Sequence, residues 1–224
     1  MILSALLSLL FQSPFTAAPE HYKLEVDNEW VQIVRVHYEP GGVSKLHDHP
    51  DRPTVMVYNT DGGGLRFKHK EGPVVNRPAV KAGGIRFTKG AAESHVVEYL
   101  GDQPSEYMRV ELKTEPIDLP DNDVRIAPTD RKPFENGQVR IMRITCPAKS
   151  ACPASAHPGD PAVVISGSDY RWLRSGTDLI QNPATIPLEQ IRIELKSKPA
   201  GVGPVLCTVP CLNHFINLDA DFKK

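Results

Sequence analysis

No block of like charge occurs anywhere in the chain. With 26 Lys and Arg against 27 Asp and Glu spread over 224 residues, no segment can act as a polyelectrolyte arm, and nucleic acid is not an expected partner. Nor does the N-terminal run from Ile2 to Phe11 cross a bilayer: it is mostly apolar but only about ten residues long, where a span needs about twenty. Sustained helical periodicity and long low-complexity tracts are also missing, which excludes a helix bundle and a long disordered spacer. Cysteine is scarce. All four, Cys146, Cys152, Cys207 and Cys211, lie in the C-terminal half, and their x5 and x3 spacings differ from the tight pairs of structural zinc sites. An even number allows disulfides; buried or free thiols are the alternative.

What the chain does have is punctuation. Its 21 prolines and 16 glycines separate short runs rich in β-branched residues, with turn signals such as EPGG (39–42) and NTDGGG (59–64) between them. This pattern predicts an all-β protein of sandwich or barrel sheets. The apolar N-terminal run, followed by Ala17 and Ala18, has the dimensions of a secretory leader, although no Lys or Arg precedes it. Residues 1–18 are therefore expected to be a signal peptide, with the protein secreted or periplasmic. The alternative is a cytoplasmic protein whose N-terminus packs on the domain.

The sequence also repeats itself. At an offset of 108 residues, positions 28–57 align with 136–165 without a gap: VQIVRV (31–36) faces VRIMRI (139–144), and HPDRPTVMV (49–57) faces HPGDPAVVI (157–165). Further on, EYMRVELKTEP (106–116) faces EQIRIELKSKP (189–199) at an offset of 83, so the second copy is 25 residues shorter. The loss falls where the first copy carries GIRFTKGAAESHVVEY (84–99). The expected organisation is a first domain over 19–115, a Pro- and Asp-rich linker over 116–130, and a reduced second domain over 131–224. The first half is expected to carry function and the second to serve packing.

His47 and His49 in SKLHDHPDRP (44–53) follow the turn at Gly41–Gly42, so they should open a strand, and residues two apart on a strand share a face. Gly41-x5-His47-x-His49 resembles the first motif of the cupin superfamily, G-x5-H-x-H-x3,4-E-x6-G. Gly84-x10-His95-x3-Tyr99 keeps the frame of the second, G-x5-P-x-G-x2-H-x3-N, with Gly90, Ala92 and Tyr99 in place of its proline, glycine and asparagine. The resemblance covers the first half well and the second only in part, and it implies two cupin-type jelly-roll barrels in tandem, the second degenerate. It also implies a metal site at His47, His49 and His95. Thr54 stands where the motif has its glutamate ligand, so the implied site is three neutral imidazoles with open positions, as in three-histidine cupin dioxygenases. Such a site suits Fe, Zn, Cu, Ni or Mn. In the second copy Ser155 replaces the first histidine and His157 stands alone, so no metal is expected there; His214 has no partner that would make it a ligand.

Alternation from Thr54 and His95 points Met56, Tyr58 and Tyr99 inward, and with Thr54 these are the candidate pocket residues; ordinary core packing is the competing reading. Arg66 and Arg86 would hold an anionic substrate only if they enter the barrel mouth. His21, His37 and His69 are expected on the surface. Glu93 and Glu98 are not expected to serve as a general base: Glu93 shares the His95 face only if the strand already runs there, and Glu98 should point away. Three functions fit these residues: a metal-dependent, dioxygenase-like enzyme acting on a small molecule, a noncatalytic ligand- or metal-binding module, or a purely structural bicupin. A homodimer is compatible with all three.

Overall fold

The structure is a computed structural model that describes residues 12–153, 160–174 and 179–201. Beyond one helical turn, α1 (Pro14–Ala17), the described residues form strands and loops. The first half contributes β1 (Tyr22–Asp27), β2 (Val31–Tyr38), β3 (His47–His49), β4 (Thr54–Tyr58), β5 (Leu65–His69), β6 (Val74–Arg77), β7 (Ile85–Thr88), β8 (Glu93–Tyr99), β9 (Ser105–Leu112) and β10 (Val124–Ile126). The second contributes β11 (Phe134–Glu135), β12 (Val139–Cys146), β13 (Ser150–Pro153), β14 (Ala162–Ser166), β15 (Asp169–Leu173), β16 (Leu179–Asn182) and β17 (Leu188–Leu195). The protein is all-β, as the punctuation pattern implied, and every strand pair is antiparallel. Among the described residues no helix is long and apolar enough to cross a membrane.

Four sheets result. A six-stranded sheet runs β1-β2-β9-β4-β7-β10 and faces a four-stranded sheet β3-β8-β5-β6; the second half forms a five-stranded sheet β11-β12-β17-β14-β15 and the pair β13-β16. Residues 116–130, expected to be the linker, include β10, which pairs with β7 from Val124 opposite Phe87 to Ile126 opposite Ile85.

The sequence repeat reappears as geometry. In the first half β9 lies between β2 and β4, with Val31 opposite Leu112 and Thr54 opposite Glu111; in the second, β17 lies between β12 and β14, with Val139 opposite Leu195 and Ala162 opposite Glu194. Even the entry turn recurs. Asn28 Oδ1 accepts from the Trp30 and Val31 amides, and Asn136 Oδ1 from those of Gln138 and Val139, the side chain mimicking a turn of backbone.

Period-two alternation sorts the six-stranded sheet into two buried faces. Val31, Ile33, Val55, Val57, Ile85, Phe87, Met108 and Val110 point one way, into a cluster completed by Val139, Ile141, Val163, Ile165, Ile191 and Ile193 of the second half. Val34, Val36, Tyr38, Met56, Tyr58 and Tyr107 point the other way, into the interior shared with Leu65, Phe67, Val97 and Tyr99. Double-sided burial explains why β4, TVMVY, is covered at every position.

The N-terminal residues 12–18 lie against β3: the Asp48 amide donates to the Gln12 carbonyl at 2.9 Å, and Ala18 is fully buried in the interior cluster. Removing all of residues 1–18, the leader expected from sequence, would take this cover with it.

Cys146 and Cys152 form a disulfide with a Cα–Cα distance of 5.7 Å, closing the turn that joins β12 to β13. Cys207, Cys211, Ser155, His157 and His214 lie outside the described residues. Closing so short a loop contributes about 2 kcal/mol by chain entropy. Cys146→Ser is expected to lower unfolding free energy in urea by about that amount. An unchanged midpoint in oxidised protein would contradict it.

Candidate functional site

β3 follows the turn at Gly41, whose φ of +74° suits a residue without Cβ, and it pairs with β8 so that His47 lies opposite His95 and His49 opposite Glu93. β8 in turn pairs with β5, placing His69 opposite His95. One row of the four-stranded sheet thus carries His47, His95 and His69, and the next carries His49 and Glu93. Gly90 permits the β7–β8 turn on two counts: its φ is +80°, and a Cβ there would run into the Arg52 carbonyl.

All three sequence-predicted histidines are buried and lie together. Ring centroids are 4.9 Å apart for His47–His49 and for His47–His95, and 5.1 Å for His49–His95, with one nitrogen from each ring within 4.8 Å of the others. His47 Nδ1–H donates to the Lys45 carbonyl at 2.8 Å, which fixes the tautomer and leaves Nε2 as a lone pair, buried and without a partner. His49 Nδ1 and His95 Nδ1 are likewise buried without hydrogen bonds. Burial above all pushes His47 down to about 4 and His49 to about 3, and it lowers His95 as well. At neutral pH the imidazoles are uncharged donors.

Sequence reasoning left Glu93 conditional on the start of its strand and missed the other charged groups around the histidines. β8 does begin at Glu93, so Glu93 shares the His95 face: its Oε2 is 3.4 Å from His95 Nδ1 and 3.0 Å from His69 Nε2. Burial pushes the Glu93 carboxyl up, but His95, His69 and Arg77 outweigh it and hold it at about 2. His69 is not a surface residue. It is held by the Pro73 carbonyl at Nδ1 and with Glu93 and His95 forms a second cluster of possible ligands. His21 is not on the surface either, being buried and stacked on Tyr38 at 4.6 Å.

From the opposite sheet, the inward alternation of β9 delivers Arg109 and Glu111. Arg109 Nε donates to Glu111 Oε1 at 3.0 Å, and that oxygen is 3.9 Å from His49 Nδ1. Burial pushes the Glu111 carboxyl up, but His49 and Arg109 overcome it and keep it at about 2. The signal was present in the sequence, since Arg-x-Glu recurs at Arg192 and Glu194 in the repeat. On a strand assumed to have one wet face, however, it reads as ordinary surface alternation.

The candidate pocket residues divide. Thr54 is fully buried, but its hydroxyl donates to the Arg52 carbonyl at 3.0 Å. Tyr99 donates to the Gln103 carbonyl at 2.6 Å and accepts from the Gly63 amide, a structural use of its hydroxyl. Met56 and Tyr58 are interior, and Tyr58 also lines a cavity of about 310 Å³. Of the two arginines, Arg66 points outward to Asn76 and Glu98, whereas Arg86 is buried and pairs with Asp123. Glu98 faces away, as expected, toward Lys68 and Arg66.

The sequence matches no family model and no curated protein. Its fold has counterparts among solved structures. A protein of Pseudomonas aeruginosa provisionally called glyoxylate-induced aligns with a TM-score of 0.53 at 15% identity, over 78% of this chain and 79% of its own. The bacterial pirin YhhW of Escherichia coli, solved with nickel(II), aligns with a TM-score of 0.50 at 10% identity, over 79% and 91%. A cupin domain from Bordetella pertussis is 25% identical over 41% of this chain and 91% of its own, with a TM-score of 0.35. The chain has the cupin fold. In this fold the buried histidines sit where the two sheets of the first half face each other, with the Phe67 ring 5.1 Å from His95 and the Tyr22 ring 4.8 Å from His47.

Proposed function

We propose that this cupin is a metalloprotein whose His47, His49 and His95 hold one divalent transition metal, and that it is a dioxygenase-like enzyme acting on a small molecule. The observation that carries the reading is the buried His47 Nε2, fixed as a lone pair and left without a partner between two further neutral imidazoles. A buried nitrogen without a hydrogen bond costs about 1–3 kcal/mol, so His47 Nε2 among two other neutral rings needs a reason. A shared ion is that reason. Nitrogens about 3.0–3.4 Å apart would suit metal–nitrogen bonds of about 2.1 Å, so binding would draw together rings whose ligand atoms now lie within 4.8 Å of one another.

With Thr54 committed to backbone, no carboxylate stands at the place of the motif's glutamate, which keeps coordination positions open. Bound there, a cation such as Fe, Zn, Cu, Ni or Mn supplies a Lewis acid, or with iron a centre for dioxygen. Around it, Glu93 takes the Nδ1 side of His95, Glu111 balances charge, and Phe67 and Tyr22 exclude water. The nickel(II) of the E. coli pirin supports cation binding on this fold. The second half is read as the reduced tandem copy, which serves packing; among the described residues it holds no comparable cluster. Export to an oxidising compartment completes the proposal, supported by the Cys146–Cys152 bridge and the apolar N-terminal run.

Metal-free protein loaded separately with Fe(II), Ni(II), Mn(II) and Zn(II) is expected to retain one equivalent after gel filtration, and the iron form to consume oxygen with a panel of small organic molecules. Retention without turnover in any metal form would contradict the enzymatic part; no retention would contradict the whole. Glu93→Gln is expected to weaken metal affinity about 10–100-fold, the usual effect of losing a carboxylate that orients a ligating histidine. Competition against a chromophoric chelator reads this directly, and equal affinity would rule that role out.

A further inference from the structure

Arg77, at the end of β6, is half-buried, and among the described residues it has no carboxylate within ion-pair distance and no side-chain hydrogen bond. Its guanidinium lies 3.9 Å over the Phe67 ring, and Phe67 in turn stands edge-on to His95. Arg77 lines the 310 Å³ cavity with three other basic side chains, of which Arg86 is taken by Asp123 and Lys81 by Asp61, leaving Arg125 at the exposed rim. Apolar groups make up much of the wall, among them Leu65, Val80, Ile85 and Ile126, and Asp130 is its one carboxylate. The volume is at the small end of those that hold organic ligands.

Glu93 is the carboxylate whose charge Arg77 feels most, but it is already engaged by His95 and His69 and lies beyond ion-pair distance, so a cation withdrawn from water here is only partly compensated. Burial, followed by repulsion from Arg86, weakens the hold of Arg77 on its proton more than Glu93 strengthens it, and an anion directly beside it would reverse the balance. A planar guanidinium with no direct ion pair, opening onto apolar walls, matches a planar monoanion attached to an apolar body. A bare dianion would leave those walls wet.

We infer that this cavity is a binding site for a small organic carboxylate with an apolar body, its carboxylate held by Arg77 and its body lying among the apolar walls. The site deepens the metalloenzyme reading by naming a substrate class, because the ring on which the Arg77 guanidinium lies, Phe67, also meets His95. Binding itself does not require the metal.

Calorimetry on metal-free protein tests it, with benzoate as probe, benzyl alcohol as its neutral counterpart and inorganic phosphate as a bare anion. Benzoate is expected to bind, and to bind at least 10-fold more tightly than the other two. Arg77→Gln should weaken benzoate at least 10-fold, as expected for losing a charge-assisted pair, while Arg77→Lys recovers part of the loss. Should Arg77→Gln fail to fold, Arg125→Gln at the exposed rim is expected to weaken benzoate about 3-fold. Equal binding of benzoate and benzyl alcohol, tighter phosphate, no benzoate binding, or folded variants indistinguishable from wild type would each overturn the site. Metal uptake measured on the same samples separates the two readings: benzoate binding without metal uptake sinks only the metal proposal, and the converse sinks only this one.

Discussion

His47→Ala is expected to lower nickel(II) or zinc(II) affinity by at least 100-fold and to erase metal-dependent thermal stabilisation. In the wild-type protein a metal at 100 times its Kd adds about 2.7 kcal/mol to the native state. The variant keeps His49 and His95, but two imidazoles from adjacent strands leave a cation with half-filled coordination in a buried place. The substitution also removes a ring that packs 4.8 Å from Tyr22 and a hydrogen bond to Lys45, so the metal-free variant should be less stable by about 1–3 kcal/mol. Comparing thermal shifts with and without metal cancels that second effect. A metal shift as large in His47→Ala as in wild type would remove His47 from the site.

Phe87→Ala is expected to cost about 3–5 kcal/mol and to destabilise both halves at once. Phe87 is fully buried on the face of the six-stranded sheet that meets the second half, and its ring centroid is 5.2 Å from that of Phe134. The two tryptophans report on the two halves separately: Trp30 precedes β2, Trp172 is in β15, and both pack against the shared cluster. Variants retaining one tryptophan each should show coincident denaturant transitions, displaced together by Phe87→Ala. Two separated transitions, only one of them moved, would show that each half has its own core.

That shared core was only partly legible in the sequence. The alternation of VQIVRV and its repeat located β2, β4 and β9 with their second-half counterparts, because strand period and β-branched content are local properties. TVMVY was read by alternation as having one inward face, whereas it is covered on both, and which surface covers it is a tertiary fact. His47 and His49 could be placed on one face from their spacing, and His95 from the resemblance of its frame. Glu93 depended on where β8 starts, one or two residues being decisive for its direction. His69 reaches the site through the register of β5 against β8, which no local pattern specifies. Arg109 and Glu111 were masked by their charge, since the interior of this barrel tolerates them by pairing them with each other and Glu111 with His49 and Arg52. β10 was hidden in residues whose prolines and aspartates read as linker.

The most direct measurement of the central claim is elemental analysis of wild-type protein and of a variant with His47, His49 and His95 all replaced, both dialysed against the same low concentration of transition metals. One equivalent per chain in the wild type and none in the variant is the result this account predicts. A wild-type protein without metal, or equal content in both, would contradict it.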